Sequence, residues 1–245
     1  MTYTVHNLQI ARQTLQTNLG IARGDYKDLS HINKFGFSDS VGATFQTVWD
    51  GNNVYSYPAT AGTVQITSAS GSDDNAIITV EGLDSNYDIA SEDITVAGAR
   101  GNVNFIRVFR AYVKTPASGQ TTNVGVITLL HTQSDSTDTT IAKILAGAGQ
   151  TLMAVYTVPR KYKAYIVKFQ GSIGKQKEAV FRGIFRPFGG AFRTGGQWGT
   201  FGVPVTYDYP VPLTFTEKTD FEVQVKANAT TEAGALFDMI LERLP

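Results

Sequence analysis

The chain contains no cysteine among its 245 residues. Disulfide staples and thiolate metal sites are therefore excluded. Charge is scarce too: Asp, Glu, Lys and Arg make up 17% of residues, against about a quarter in ordinary domains. The basic and acidic residues number 21 each, so the formal net charge is zero. No global field draws such a chain to nucleic acid or to a membrane surface. No apolar run reaches the roughly 18 residues that mark a transmembrane helix. The start, MTYTVHNLQI, lacks the basic opening and long apolar core of a secretory signal peptide. His6, His31 and His131 are far apart, and none stands in a metal-ligand spacing. No G-x-S-x-G, P-loop or Rossmann glycine pattern occurs. The expectation is a protein that is not an enzyme and holds no cofactor or metal.

Short extended runs, each closed by turn residues, fill the chain. The stretch from Thr151 to Pro187 shows the pattern best. It holds three apolar runs: Leu152 to Val158, Ala164 to Phe169, and Ala179 to Phe185. Pro159-Arg160-Lys161 and Gly171-Ser172-Ile173-Gly174-Lys175 separate them. The second and third runs alternate with a period of two, as half-buried strands do. They read as consecutive antiparallel strands joined by turns. Further runs precede them at Gly62 to Ala69, Ala76 to Val80, Ile89 to Val96, Asn104 to Thr115 and Val124 to Leu130. Two more, Asp220 to Ala227 and Ala235 to Leu244, close the chain. No long helical pattern lies between them, which argues against a doubly wound parallel sheet. The fold class expected is all-β: an antiparallel, jelly-roll-like β-sandwich.

Residues 1–41 read differently, as an N-terminal arm. Leu8, Ala11, Leu15 and Leu19 recur at helical steps over Asn7 to Leu19, and Gly20 stands where a C-cap would go. The next piece has no clean period. Its apolar residues, Phe35 and Phe37 among them, suit docking on the body or on a neighbouring subunit. Residues 42–245 form the sandwich body, either one unit or two subdomains at 42–132 and 140–245.

Charge is unevenly placed. Nine bases and one acid lie between Arg160 and Arg193, and seven acids with no base lie between Asp73 and Asp93. Such patches either meet within one subunit or steer contacts between copies. Arg160, Lys161, Lys175, Lys177 and Arg193 are the basic interface candidates. The acidic pairs Asp73-Asp74 and Glu92-Asp93 read as solvated loop charge. The segment 188–202 is rich in glycine and carries Phe192, Trp198 and Phe201. It is read as a long irregular loop, which either presents aromatic anchors to a partner or glycan or covers one end of the sandwich. The prolines 204, 210 and 212 mark the run from Val203 to Phe215 as an edge strand or a loop.

The stretch AVYTVPRKYKAYIVKFQGSIGKQKEAVFRGIFRPFGGAFR, with LTFTEKTDFEVQVKANATTEAGALFDMILERL, resembles structural proteins of tailed bacteriophages, especially those of aquatic bacteria. FGFSDSVGATFQTVWDG and ITVEGLDSNYDIASEDITVAG resemble the same group. The resemblance implies a virion component of β-rich fold and no catalytic residues. The expected role is a capsid decoration or cement protein on the virion surface. Expected partners are copies of itself, in a trimer or other closed ring, and the major capsid protein or other virion proteins. Nucleic acid and membrane are not expected partners. A tail, baseplate or connector component and a receptor- or carbohydrate-binding sandwich are the alternatives.

Overall fold

The structure, a computed structural model, describes residues 17–132, 138–174 and 177–245. Fifteen strands follow one another along the described chain. They are β1 (Leu29–Val41), β2 (Gln46–Thr47), β3 (Val64–Ser68), β4 (Ile77–Asp84), β5 (Ile89–Thr95), β6 (Phe105–Thr115), β7 (Ile127–Thr132) and β8 (Asp138–Ile144). The remainder are β9 (Val155–Thr157), β10 (Tyr162–Ile173), β11 (Glu178–Arg186), β12 (Arg193–Phe201), β13 (Val205–Phe215), β14 (Asp220–Ala227) and β15 (Thr231–Arg243).

One sheet has the order β1-β15-β10-β13, and the facing sheet β12-β11-β14-β2, with β9 also on β14. All of these pairings are antiparallel. Along the chain the strands change sheets at almost every connection, so the eight strands β1, β2 and β10 to β15 wind as a jelly roll. The chain is thus an almost all-β sandwich with a short helical segment before it.

Strands β3 to β8 lie between the second and third strands of the roll. They make two further three-stranded sheets, β3-β7-β8 and β5-β4-β6. This inserted unit has its own core around Ile66, Ile78, Phe105, Leu129 and Ile144. The roll has another around Phe169, Phe181, Phe221, Phe237 and Met239. The two cores do not divide at residues 133–139. They divide at a neck, where Trp49 pairs with Met153 and the Ala154 N–H donates to the Val48 carbonyl at 2.9 Å. Val48 and Ala154 belong to the roll's core, Trp49 and Met153 to the insertion's.

Gly36 makes the neck possible. A Cβ there would stand 2.1 Å from the Val48 carbonyl oxygen and 2.4 Å from the Ala154 nitrogen. Only hydrogen lets β1 pass so close.

Several expectations change. Residues 29–41 are not an arm: β1 pairs with β15 from Leu29 opposite Glu242 to Val41 opposite Thr231. Its apolar period is hidden because Lys34, Gly36 and Ser38 occupy buried positions that would ordinarily be apolar. The helical segment described spans 17–23 and runs through Gly20. It stops at Gly24, whose φ is +78°. The Asp25 N–H bonds to the Gly20 carbonyl and the Gly24 N–H to that of Ile21, a Schellman ending. Most of the helix expected over Asn7 to Leu19, with Leu8 and Leu15, lies outside the described residues. The strands expected at Ala164–Phe169 and Ala179–Phe185 exist as β10 and β11, but they are not a hairpin. The first pairs with β13 and β15, the second with β12 and β14.

Candidate functional site

Two regions concentrate groups that could meet a partner. The first is the side of the roll formed by β12 and β13. Each is the last strand of its sheet. Residues 193–201, expected within an irregular loop, are strand β12. Its inward position 198 is the reason: the Trp198 ring stacks on Phe169 at 4.4 Å and 18° and closes that side of the core. Trp198 is therefore half-buried structure. Phe201, Val203, Tyr207 and Val211 instead remain exposed, Val211 by 80%. Single exposed apolar residues are common, but four large ones lie on these two edge strands and their connection.

The second region is the junction between roll and insertion. Alternate residues of β14 point at the insertion: Asp220, Glu222 and Gln224, all buried. Asp220 accepts from Arg107 Nε at 2.8 Å and Nη2 at 3.1 Å. Arg186 donates to it from Nε at 3.0 Å and Nη2 at 2.6 Å, and Thr157 Oγ1 donates at 2.7 Å. Arg107 also donates to the Pro58 and Ile106 carbonyls. Burial lowers the Arg107 pKa, but the bonds to Asp220 and its charge outweigh that and hold it above the usual value. Tyr57 lies between the guanidinium groups of Arg107 and Arg186, at 5.2 and 5.0 Å from its ring.

Glu222 accepts from Thr47 Oγ1 at 3.0 Å and from Gln224 Nε2 at 2.5 Å. Burial pushes its carboxyl up to about 7, against the lowering effect of the bonds from Gln224 and Thr47. Asp50 at the neck is likewise pushed up to about 7 by burial, although the Leu152 N–H donates to it at 2.8 Å. Lys34 is the basic counterpart. Burial, then the Arg110 charge, lowers it to about 7, and it donates to the Phe109 carbonyl.

The sequence candidates divide between these regions. Phe192 folds onto the junction, 5.6 Å from Tyr57 and 4.7 Å from the Arg186 guanidinium. Phe201 lies on the exposed strand edge. Lys177 precedes β11, and its carbonyl accepts the Gly202 N–H. Arg193 is exposed at the start of β12 and makes no ion pair among the described residues. Phe35 and Phe37 alternate along the outer side of β1, opposite Leu236 and Gly234. Lys175 lies outside the described residues.

Part of the charge asymmetry is matched within the chain. Arg160 holds Asp88 through bonds of 3.0 and 2.8 Å, and Lys114 holds Asp93. Lys161 sits in a left-handed turn, φ +64°, with its N–H on Glu217. Asp73 is not solvated: it is buried and accepts from Ser68 and from the Val124 and Gly125 N–H groups. Glu92 similarly accepts from the Asn102 and Val103 N–H groups.

Asp220, Glu222, Arg107 and Tyr57 were not singled out by sequence. The alternation of Glu222, Gln224 and Lys226 with Phe221, Val223 and Val225 reads as a solvated strand face. The insertion covers that face, and no local signal announces it. Among the described residues, no three His, Asp or Glu side chains meet as a cation site, and no helix is long and apolar enough to cross a membrane.

No protein-family model matches the chain, and no curated protein matches it. Among solved structures it is similar to a chain of Bacillus endospore appendages, described as disulfide-linked pili. That overlap has 15% identity and a TM-score of 0.23, over 37% of this chain and 72% of that one. It is also similar to a chain of infectious bursal disease virus, Gx strain, at 9% identity and a TM-score of 0.22, over 89% of this chain and 76% of that one. A lipoprotein of Bacteroides thetaiotaomicron overlaps 84% of this chain and 98% of its own, at 8% identity and a TM-score of 0.19. Overlaps this loose carry no argument. The strand order itself defines the jelly roll.

Proposed function

We propose that this chain is a structural protein of a tailed-phage virion. Its role is that of a capsid cement or decoration subunit, bridging capsid subunits at the particle surface. The observation that carries this reading is the exposed apolar edge. The roll's own core is closed by Trp198, yet Phe201, Val203, Tyr207 and Val211 remain in water beside it. Large apolar side chains left exposed along a sheet edge mark a contact site.

Pro210 and Pro212 lie in β13, where they oppose addition of another strand. Contact on that side therefore runs through side chains. A patch of this kind meeting a different patch on the next copy gives a heterologous contact, which closes into a ring when the rotation allows. A trimer is the ring expected here. The resemblance to phage structural proteins supplies the setting, and no catalytic role is assigned.

The test is sedimentation with particles. Purified protein is mixed with particles lacking it, and bound copies are quantified after centrifugation. Saturable binding that Phe201→Asp abolishes supports the role. A chain that stays in the supernatant and is missing from native particles refutes it.

A further inference from the structure

A cleft of about 270 Å3 opens at the junction, walled by Tyr87, Arg107, Arg186, Phe188, Lys218 and Asp220 together with the turn after Pro187. We propose that it binds the carboxylate of an acidic sugar, of the uronic acid class found in polysaccharides.

The charge balance comes first. Three cations, Arg107, Arg186 and Lys218, line the cleft with one carboxylate, Asp220, and the Asp88 carboxylate outside it also feels the Lys218 charge. That carboxylate already accepts five hydrogen bonds from Arg107, Arg186 and Thr157. A carboxylate offers about four lone-pair sites, so it has none left for a further donor. Lys218 makes no ion pair among the described residues. Its ammonium stands instead 5.3 Å from the Tyr87 ring centre and 4.9 Å from that of Phe188. Arg186 is partly exposed, at 30% of its side chain, and its Nη1 bonds to no described residue. An incoming anion meets two underused cations at the open mouth of the cleft, where their fields add.

The rings decide the rest of the ligand. Phe188 is 63% exposed although it lies edge-on to Tyr87 at 5.6 Å. Tyr87 is held in a left-handed turn, φ +66°, and Gly189 at φ +71° turns the chain just after Phe188. The turn at Gly189 thus leaves a large ring in water beside an ammonium that makes no ion pair among the described residues. A pyranose carboxylate suits both, its C–H face on the phenyl ring and its charge on Lys218. The cleft lies just below the roughly 300 Å3 at which drug-sized sites begin. One sugar ring fits that scale better than an extended peptide.

The test uses the full chain. Sodium glucuronate, glucose, sodium glutamate and inorganic phosphate are titrated separately, with amide chemical shifts as the readout. Glucuronate is expected to bind at least about tenfold more tightly than the other three, a difference of about 1.4 kcal/mol. Lys218→Gln and Phe188→Ala are each expected to weaken it about tenfold, with thermal unfolding unchanged. Absence of glucuronate binding overturns the proposal. So does equal binding of glutamate or phosphate, and so does full retention of binding in both variants.

Discussion

Arg107 of the inserted unit and Asp220 of the jelly roll are joined by two hydrogen bonds, of 2.8 and 3.1 Å, with both side chains buried. The pair is the buried charged tie between two cores that also meet at the neck, through Arg160 and Asp88, and where Phe109 packs on Tyr156. Removing one partner leaves the other charged and dry, which costs about 3–5 kcal/mol. Asp220→Asn also weakens the hold on Arg186, so the loss is expected at the upper end of that range. Urea unfolding measures it, and hydrogen exchange should show the insertion strands opening first. A loss below about 0.5 kcal/mol, typical of surface positions, would mean that the pair does not join the units.

The pH dependence follows from Glu222. Its folded pKa, about 7, lies above the ordinary 4.5. Between those values the folded state holds a proton that the unfolded state has released. Its contribution is therefore present below pH 4.5 and is lost as pH rises through 7, by up to about 1.4 kcal/mol per unit. Asp50, also raised to about 7, acts in the same direction. Lys34, lowered to about 7, regains stability only above that point. Comparison with Glu222→Gln isolates the carboxyl. The stability of the wild type, relative to the variant, is expected to fall from pH 5 to pH 8. A constant difference would contradict the buried carboxyl.

Two glycines should respond differently to alanine. Gly36→Ala places a methyl within 2.1 Å of the Val48 carbonyl oxygen, so the neck must open. The cost is expected to reach about 3 kcal/mol, the upper range for overpacking. Gly24→Ala meets no atom, but the residue keeps φ at +78°. It should cost about 1 kcal/mol. Thermal unfolding of the two variants side by side checks the ranking.

The exposed edge should be separable from the fold. Val211→Asp and Phe201→Asp change side chains that are 80% and 61% exposed. Monomer stability is expected to stay within about 0.5 kcal/mol. The ring of copies that the proposed role calls for, measured by light scattering, should form with the wild type and not with either variant. An unchanged mass distribution would show that copies do not meet there.

The strands were largely legible because each carries its own alternation. β10, β11, β14 and β15 all stand where the period of two places them. Their partners were not legible. In a jelly roll, chain neighbours pass to opposite sheets, and alternation reports which face is buried, not which strand lies beside it. β1 was missed for a different reason: its inward residues Lys34, Gly36 and Ser38 serve a neck and a hydrogen-bond network, not a greasy face. The junction was invisible for a third reason. Asp220 and Glu222 are buried by a unit about a hundred residues earlier in sequence, and no local pattern records that. The glycine-aromatic segment divided: Phe192 joined the junction, Trp198 the core, and Phe201 the open edge.

A density map of purified particles tests the central claim most directly. The account expects the sandwich to lie on the capsid surface between capsid subunits, with Phe201, Val203, Tyr207 and Val211 buried against a neighbour. Particles whose density accommodates no copy of the chain, or a copy whose β12–β13 side faces open solvent, would contradict it.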